Sequence, residues 1–309
     1  MVRIILGLLA APAVARAETL TIATYNVENY VAADRMTEDG YRRDYPKPEG
    51  EKTALRTVIR SLHADILVLE EMGPAAYLEE LRGDLKADGL DYPSAILLEG
   101  PDADRHVALL ARRAPKAVKP HADLAFPYFG GREKVKRGLL EATFATEGGD
   151  LTLFAVHLKS RFTDRADDPL SALRRNAEAL AVREAVLARF PDPAAVRFIL
   201  LGDCNDTKDS RAVQSLLARG KMEVAALLPA ADSRGDSWTY FYRKEDSYSR
   251  IDHILVSPVL RAAVVGNGAR ICDLPETRAA SDHRPVTVTL RLEREKQERK
   301  LREEDITRQ

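Results

Sequence analysis

Six short apolar segments, spread over most of the chain, each meet a motif of acidic, amide or histidine residues at one end. Continuous apolar runs of about four to eight residues, bounded by polar residues, are typical of buried strands. Such strands must be covered on both faces, by helices or by a second sheet. The motifs are TYNVEN ending at Asn29, DILVLEE ending at Glu71, VHLKS ending at Ser160, LGDCND ending at Asp206, RIDHI ending at Ile254 and SDHRP ending at Pro285.

Amphipathic helices are predicted between these strands. Residues 53–63 place four apolar side chains on one helical face with Thr53 as the cap, Pro74 opens a second helix, and residues 170–189 form a third. Strands outnumber helices and the two are mixed, so we predict a single-domain four-layered α/β sandwich, with two packed mixed β-sheets inside and helices outside. The predicted strands are 20–27, 66–69, 94–98, 107–111, 139–146, 151–157, 198–203, 237–242, 251–257 and 286–292.

The first residues have the features of an export signal. A positive Arg3, an apolar run at 4–14 and the small-x-small pattern Ala15-Arg16-Ala17 precede Glu18, and the run is too short to span a bilayer. The alternatives are an uncleaved anchor, or a first strand preceded by an accidental apolar tail. We therefore expect a signal peptide at 1–17, one domain at 18–292, a charged tail at 293–309 without assigned function, and a periplasmic or secreted protein.

The polar segment 30–50 contains Pro46 and Pro48, which predicts a loop reaching over the other motifs. Cys204 and Cys272 are too few for a disulfide scaffold. One bridge is conceivable in an oxidising compartment, but the position of Cys204 inside LGDCND favours a small buried thiol.

The charge balance excludes a strong general attraction to polyanions. The formal charge is −1, and loss of Arg3 and Arg16 with the signal makes it −3. Binding of nucleic acid would therefore need a local basic patch on the protein surface. Candidate clusters are Arg132, Lys134, Lys136 and Arg137, then Lys159, Arg161 and Arg165, then Arg174 with Arg175.

The carboxylates of Glu71 and Asp282 are candidate ligands of a hard divalent cation, Mg²⁺ first, with Mn²⁺ or Ca²⁺ as alternatives. No Cys/His spacing typical of zinc is present. His157 and His283 fall at strand ends, and imidazole titrates near neutral pH. Asp252 is a candidate to orient one ring. The remaining polar candidates are Asn26, Asp203 and Asn205, of which the two amides could hold a phosphate or an attacking water.

Taken in order, these motifs resemble the endonuclease/exonuclease/phosphatase superfamily, over about residues 20–292. The resemblance implies a DNase I-like fold and metal-dependent hydrolysis of phosphate esters. It makes Asn26 and Arg137 phosphate-binding residues, and Glu71 and Asp282 the metal ligands. The family motif ends in its main metal ligand, which matches Glu71, while Glu70 stands where the family usually has Gln. Strand alternation lets only one of these neighbours face the site, and we choose Glu71. The implied catalytic residues are His157, Asp203, Asn205, Asp252 and His283.

The resemblance implies in-line attack of water on phosphorus, with His283 and Asp203 activating the water and His157 orienting the phosphate or protonating the leaving oxygen. We expect an endonuclease or other phosphodiesterase acting on nucleic acid, as a monomer without a stable protein partner or a transmembrane segment after signal removal. A sphingomyelinase-like lipid enzyme or a small-phosphoester phosphatase would use the same site. A lipid enzyme should expose an apolar hairpin near the cleft, for which 125–130 is the candidate. A non-catalytic binding module is the third alternative.

Overall fold

The computed structural model describes residues 17–293, except residues 38 and 267. The predicted export signal, apart from Ala17, and the charged tail beyond Glu293 lie outside the described residues. Within the described part, no helix combines the length and the apolar character that crossing a membrane requires.

The described residues form 21 strands, five α-helices and two short 3₁₀ helices. The helices are α1 (Glu49–Leu62), α2 (Ala75–Ala87), α3 (Ala172–Arg189), α4 (Arg211–Leu217) and α5 (Thr277–Ala280), with 3₁₀ turns at Pro193–Ala195 and Pro258–Ala263. The strands are β1 (Glu18–Tyr30), β2 (Ala33–Thr37), β3 (Gly40–Tyr45), β4 (Ile66–Met72), β5 (Ser94–Leu98), β6 (His106–Ala111), β7 (Ala117–His121), β8 (Ala125–Tyr128), β9 (Gly131–Lys134), β10 (Leu139–Thr146), β11 (Gly149–His157), β12 (Phe198–Asp203), β13 (Ala218–Arg219), β14 (Met222–Glu223), β15 (Ala226–Leu227), β16 (Ala230–Ala231), β17 (Tyr240–Tyr242), β18 (Ser247–Ser249), β19 (Asp252–Val256), β20 (Ala269–Ile271) and β21 (Val286–Leu292).

Two mixed sheets face each other. The first has the strand order β16-β20-β21-β1-β4-β6-β5 and the second the order β15-β19-β12-β11-β10-β7. Each contains parallel and antiparallel pairs, such as β1 with β4 and β1 with β21. Their facing sides form one apolar cluster that includes Ile22, Val68, Leu153 and Leu201.

Helices cover the outer faces. The outer cluster of the first sheet includes Leu55 and Leu81 from α1 and α2, whereas that of the second includes Val182 and Val213 from α3 and α4. The order helix, sheet, sheet, helix confirms the predicted four-layered sandwich. Cys204 and Cys272 are both free, and Cys204 is buried, so the predicted buried thiol is confirmed over the bridge.

The segment 30–50 differs from the predicted loop. Its first part is the antiparallel hairpin β2–β3, and α1 begins at Glu49 instead of at Thr53. Because β2 and β3 expose most of their side chains, they lack the apolar pattern by which strands are recognised. Arg35 ties the hairpin down by donating from Nε to the carbonyl of Tyr45 and from Nη2 to that of Asn29.

Candidate active site

His283 is the centre of the site, because its ring lies between two aspartates. Nδ1 of His283 donates to Oδ2 of Asp252 over 2.9 Å, and Nε2 lies 3.9 Å from Oδ2 of Asp203. All three side chains are buried. Since Asp252 engages Nδ1, the other ring nitrogen is held on the side of Asp203, where it can exchange a proton with a bound molecule.

Strand pairing brings these residues together. Asp203 ends β12, Asp252 begins the antiparallel neighbour β19, and the two are register partners. His283 precedes β21 in the other sheet, where its N–H donates to Oγ of Ser281. That hydroxyl donates in turn to the carbonyl of Asn26 on β1. The site therefore lies where the strand ends of both sheets meet.

The charges in this group shift its acid–base equilibria. Burial opposes a charged ring, but the carboxylates of Asp252, Asp203 and Asp282 outweigh it and raise the pKa of His283 well above its usual value. Burial and the neighbouring Asp252 raise the pKa of Asp203 to about 7. A carboxyl group in this range exchanges protons near neutral pH, as general acid–base catalysis requires.

Amide groups hold the carboxylate of Asp203 in place. Nδ2 of Asn26 donates to its Oδ2 over 3.0 Å, and the backbone N–H of Asn205 donates to its Oδ1 over 2.7 Å. Nδ2 of Asn205 donates to the carbonyl of Leu158 over 2.9 Å. Asn205 has a φ of 51°, in the left-handed region that asparagine tolerates better than most residues. The structure thus places both predicted amides beside the carboxylate of Asp203.

His157 ends β11 and is the parallel register partner of Asp203, with Nε2 3.5 Å from Oδ2. Burial, followed by the charges of Arg137, His283 and Arg105, lowers the pKa of His157 well below its usual value. A neutral ring is a hydrogen-bonding group and a poor proton donor. Of the two functions expected for His157, orientation of the phosphate is therefore favoured over protonation of the leaving oxygen.

Arg137 lies just before β10 and is buried. Its Nε is 3.0 Å from Oδ2 of Asp102, an ion pair without hydrogen-bond geometry, and Nη1 has no hydrogen-bond partner among the described residues. After burial, the charge of Arg137 contributes most to the lowered pKa of His157. A buried guanidinium donor without a partner is suited to an anion.

The carboxylate of Asp282 lies at the same ring nitrogen of His283 as that of Asp203, with Oδ1 4.0 Å from Nε2. The N–H of Asp282 donates to Oε2 of Glu28, and the N–H of Asn29 donates to Oε2 of Glu71, each over 3.0 Å. Burial raises the pKa of Asp282 to about 7, and the charges of Glu28 and Glu71 add to this effect. Carboxylates that repel one another fit a hard divalent cation, which would relieve this repulsion. Glu71 and Asp282 therefore fit a metal.

The neighbouring Glu70 and Glu71 do not follow strand alternation. Glu71 has a φ of 62°, and the pairing of β1 with β4 shifts register beyond Glu70. Glu71 is partly exposed, whereas Glu70 is fully buried and accepts from Oγ1 of Thr24 over 2.6 Å. Burial raises the pKa of Glu70 well above its usual value, and the charges of Asp252 and Asp203 contribute. The left-handed backbone of Glu71 interrupts the alternation of β4, so alternation does not decide between the two glutamates.

A second group of potential ligands overlaps the catalytic residues. One donor atom each from Asp203, Asp252 and His283 lie within 4.8 Å of one another, close enough for one ion. Their positions also satisfy the hydrogen bond between His283 and Asp252. That bond already uses Nδ1 of His283 and one oxygen of Asp252, so an ion bound here would compete with it for these two atoms.

Four residues near the site were not identified from the sequence. Glu28 lies inside the TYNVEN motif, so its position was a usable signal. The ring of Tyr240 lies 4.8 Å from that of His283, and the two residues form a β-bridge. Nζ of the buried Lys47 donates to the carbonyl of Glu28 over 3.2 Å, and Nε of Arg105 donates to Oδ1 of Asn29 over 2.6 Å. These three contacts depend on tertiary structure and leave no sequence motif.

With this geometry established, comparison with known proteins gives the class. Residues 23–283 match the profile of the Endonuclease/Exonuclease/phosphatase family, so the chain belongs to that family. Proteins of this family hydrolyse phosphoester bonds with the help of a divalent metal, and the chain is therefore a phosphoric ester hydrolase.

Solved structures share the fold at low sequence identity. A family member from Bacteroides vulgatus has a TM-score of 0.62 at 17% identity, covering 89% of this chain and 100% of its own. Sphingomyelinase C from Streptomyces griseocarneus has a TM-score of 0.59 at 16% identity, covering 88% of this chain and 99% of its own. The human Nocturnin catalytic domain has a TM-score of 0.60 at 14% identity, covering 88% of this chain and 96% of its own. No curated protein matched this chain.

Proposed function

We propose that the protein is an exported, Mg²⁺-dependent phosphodiesterase that cleaves nucleic acid by in-line attack of water. The observation that carries the chemistry is the buried group of Asp252, His283 and Asp203, next to the carboxylates of Glu71 and Asp282. A proton acceptor and a cation site side by side fit hydrolysis of an anionic ester at neutral pH.

Each residue then has one task. Asp252 keeps the ring of His283 in one orientation, and the pair formed by His283 and Asp203 takes up the proton of the attacking water. Asn26 and Asn205 fix the carboxylate of Asp203, so little rearrangement is needed during the reaction.

His157 and Arg137 hold the phosphate. When bound, the divalent cation neutralises charge on the phosphoryl oxygens and offsets the carboxylates that keep His283 protonated.

Cations and aromatic rings at the site support a nucleic-acid substrate. The charges of Arg137, Arg105 and Lys159 all act on His157, which supplies the local positive field that the whole chain lacks. Beside His283, the rings of Tyr240 and Tyr242 stack with centroids 6.3 Å apart, and both are partly exposed. Partly exposed aromatic rings can stack on bases without regard to sequence.

A phospholipid is the second candidate substrate, and exposed rings favour it. The predicted hairpin at 125–130 buries Phe126 and Tyr128 but exposes half of Phe129. Phe162, in the loop after β11, is 86% exposed. Arg165 stacks over Phe129, so this surface combines apolar and basic groups, as an interfacial enzyme requires.

A substrate panel distinguishes these candidates. The mature protein should be assayed with Mg²⁺, Mn²⁺ or Ca²⁺ on plasmid DNA, RNA, bis-p-nitrophenyl phosphate and a sphingomyelin analogue. We expect metal-dependent nicking of the plasmid. Release of choline phosphate without cleavage of nucleic acid would transfer the proposal to the lipid, and hydrolysis of none of these esters would refute it.

A further inference from the structure

Helix α3 carries two buried charged residues one turn apart, Arg175 and Glu178. Charged side chains are almost never fully buried unless they are paired with specific partners. Neither residue belongs to the catalytic group or to the metal ligands. Their hydrogen-bond partners are mainly backbone groups of loops next to the site.

The carboxylate of Glu178 joins two segments. Oε1 accepts from the N–H of Lys136 over 3.2 Å, and Oε2 accepts from the N–H of Lys159 over 2.7 Å. Lys136 immediately precedes Arg137, and Lys159 follows His157 by two residues. Burial raises the pKa of Glu178, while these N–H donors and the nearby charge of Arg137 oppose the rise. One carboxylate thus fixes the backbone beside both residues assigned to the phosphate.

Arg175 extends the same support. Its Nη1 donates to the carbonyls of Lys159 over 3.0 Å and of Leu170 over 3.2 Å. Its Nε donates to Oδ2 of Asp206 over 3.0 Å, and Asp206 directly follows Asn205. The carbonyl of Asp206 lies 2.9 Å from Nε2 of His253 on β19. The loop after β12 is therefore held from the helix and from the neighbouring strand.

By contrast, the carboxylates assigned to the metal are held elsewhere. Glu71 and Asp282 make their hydrogen bonds with Asn29 and Glu28, on or next to β1. None of the hydrogen bonds described for Arg175 or Glu178 reaches these residues. The two halves of the site thus have separate supports.

We propose that Arg175 and Glu178 are positioning residues that set the affinity of the site for phosphate without setting its affinity for the metal. The inference rests on the proposed function, because it takes His157 and Arg137 as the phosphate-binding side. If Glu178 is altered, the loops at Lys136 and Lys159 lose a shared acceptor, and the guanidinium and imidazole no longer converge on one anion.

The test uses Glu178→Gln, which keeps the shape of the side chain but replaces one acceptor oxygen by an NH₂ group facing a backbone N–H. We expect the inhibition constant of inorganic phosphate to rise about tenfold or more, as loss of a hydrogen bond to a charged group predicts. The Mg²⁺ concentration giving half-maximal activity should stay within about twofold of the wild type. Calorimetric titration with inorganic phosphate should show the same loss of affinity directly.

Glu141→Gln is the matched control. Glu141 is another buried glutamate, but its carboxylate contacts His121 and Arg189 and no loop of the site. Glu141→Gln should leave unchanged both the inhibition constant of phosphate and the Mg²⁺ concentration that gives half-maximal activity, whatever its effect on stability. If Glu178→Gln does not fold, Arg175→Lys, which keeps the charge but cannot reach all its acceptors, should raise the phosphate constant in the same way.

The possible outcomes separate this inference from the proposed function. Suppose that the wild type is active and that Glu178→Gln or Arg175→Lys lowers kcat but leaves the inhibition constant of inorganic phosphate unchanged. Arg175 and Glu178 would then have only a structural role, and the inference would be overturned. An equal loss of affinity for phosphate and for Mg²⁺ would also overturn the inference, because the phosphate-binding and metal-binding residues would then share one structural support. A wild type that hydrolyses no phosphate ester would refute the proposed function, and the inference with it.

Discussion

At the scale of single residues, the site depends on how burial and charge act on His283. The hydrogen bond to Asp252 fixes one ring nitrogen, and three carboxylates stabilise the charged ring. Burial raises the pKa values of Asp203 and Asp282 to about 7, and repulsion adds to it, from Asp252 for Asp203 and from Glu28 and Glu71 for Asp282. A cation bound at Glu71 and Asp282 would relieve this repulsion, which couples metal binding to proton transfer.

Replacing His283 by Ala should lower kcat by about 10²–10⁴-fold while the protein stays folded, because the proton acceptor is lost but the amide and metal ligands are kept. The measurement is the steady-state hydrolysis of bis-p-nitrophenyl phosphate, with circular dichroism to verify folding. His121→Gln is the control, since this ring contacts Glu141 on the edge of the second sheet. Full activity of His283→Ala would remove this residue from the mechanism.

The raised pKa of Asp282 predicts how the stability of the metal-free protein depends on pH. Burial and the charges of Glu28 and Glu71 raise this pKa from 3.8 to about 7, so the folded state favours the protonated acid. The stabilisation from the proton is complete below the unfolded pKa and is lost as the pH rises through about 7.

In EDTA, Asp282→Asn should therefore gain stability relative to the wild type between about pH 5 and pH 8, because the amide has no proton to lose. Thermal unfolding of both proteins across this range measures the difference. In excess Mg²⁺ the order should reverse, since only the wild type binds the cation through this carboxylate. A difference that does not change with pH would mean that Asp282 has an ordinary pKa.

At the scale of elements, close strand packing positions the catalytic ends. Gly202 precedes Asp203 on β12 and has a φ of 139°. A Cβ at this position would lie 1.9 Å from the carbonyl oxygen of Val156 on β11. The next register pair along these strands is His157 with Asp203, so the absence of a side chain at Gly202 lets these two residues approach.

Gly202→Ala should accordingly destabilise the protein by about 3 kcal/mol or more, because the clashing atom is backbone and cannot rotate away. Urea unfolding gives the free energy. Gly83→Ala is the contrasting variant, since Gly83 lies inside α2 with nothing within 4 Å of its added Cβ. It should stabilise the protein by about 0.5–1 kcal/mol. Equal stability of the Gly202 variant and the wild type would contradict the packing argument.

Elements with apolar patterns could be predicted from the sequence, and polar ones could not. The strands at 94–98, 139–146, 198–203 and 286–292 have the predicted bounds because most of their buried positions are apolar. The hairpin β2–β3 and strand β7 expose most of their side chains, so periodicity gave no signal. Helix α1 begins at Glu49, where Pro48 and two acidic residues in the first turn suit a helix start better than the Thr53 expected as its cap.

The site was predictable to the extent that its residues stand in motifs at strand ends. Asn26, His157, Asp203, Asp252 and His283 are brought together because their strands are neighbours in the two sheets. Tyr240 and Glu178 act through contacts between distant segments, which no local pattern encodes. Glu71 was chosen from its place at the end of the family motif, and the supporting rule of strand alternation does not apply at a residue in the left-handed region.

At the scale of the whole molecule, export remains a prediction from the first 17 residues. The chain expressed with its leader in an exporting host should yield a mature protein beginning at Glu18, with the first strand intact because β1 starts there. Intact-mass measurement of the exported fraction gives the cleavage position. Retention of residues 1–17 on a membrane-bound product would support the uncleaved anchor instead.

Two sheets contribute residues that are far apart in the sequence to one site, and the central claim is that these residues form a single metal-dependent centre. The most direct measurement is the hydrolysis of bis-p-nitrophenyl phosphate by the mature protein after EDTA treatment and again after addition of Mg²⁺, with Glu71→Gln measured in parallel. We predict that EDTA abolishes the activity, that Mg²⁺ restores it, and that Glu71→Gln needs far more Mg²⁺ for the same rate. Undiminished hydrolysis in EDTA would contradict the account.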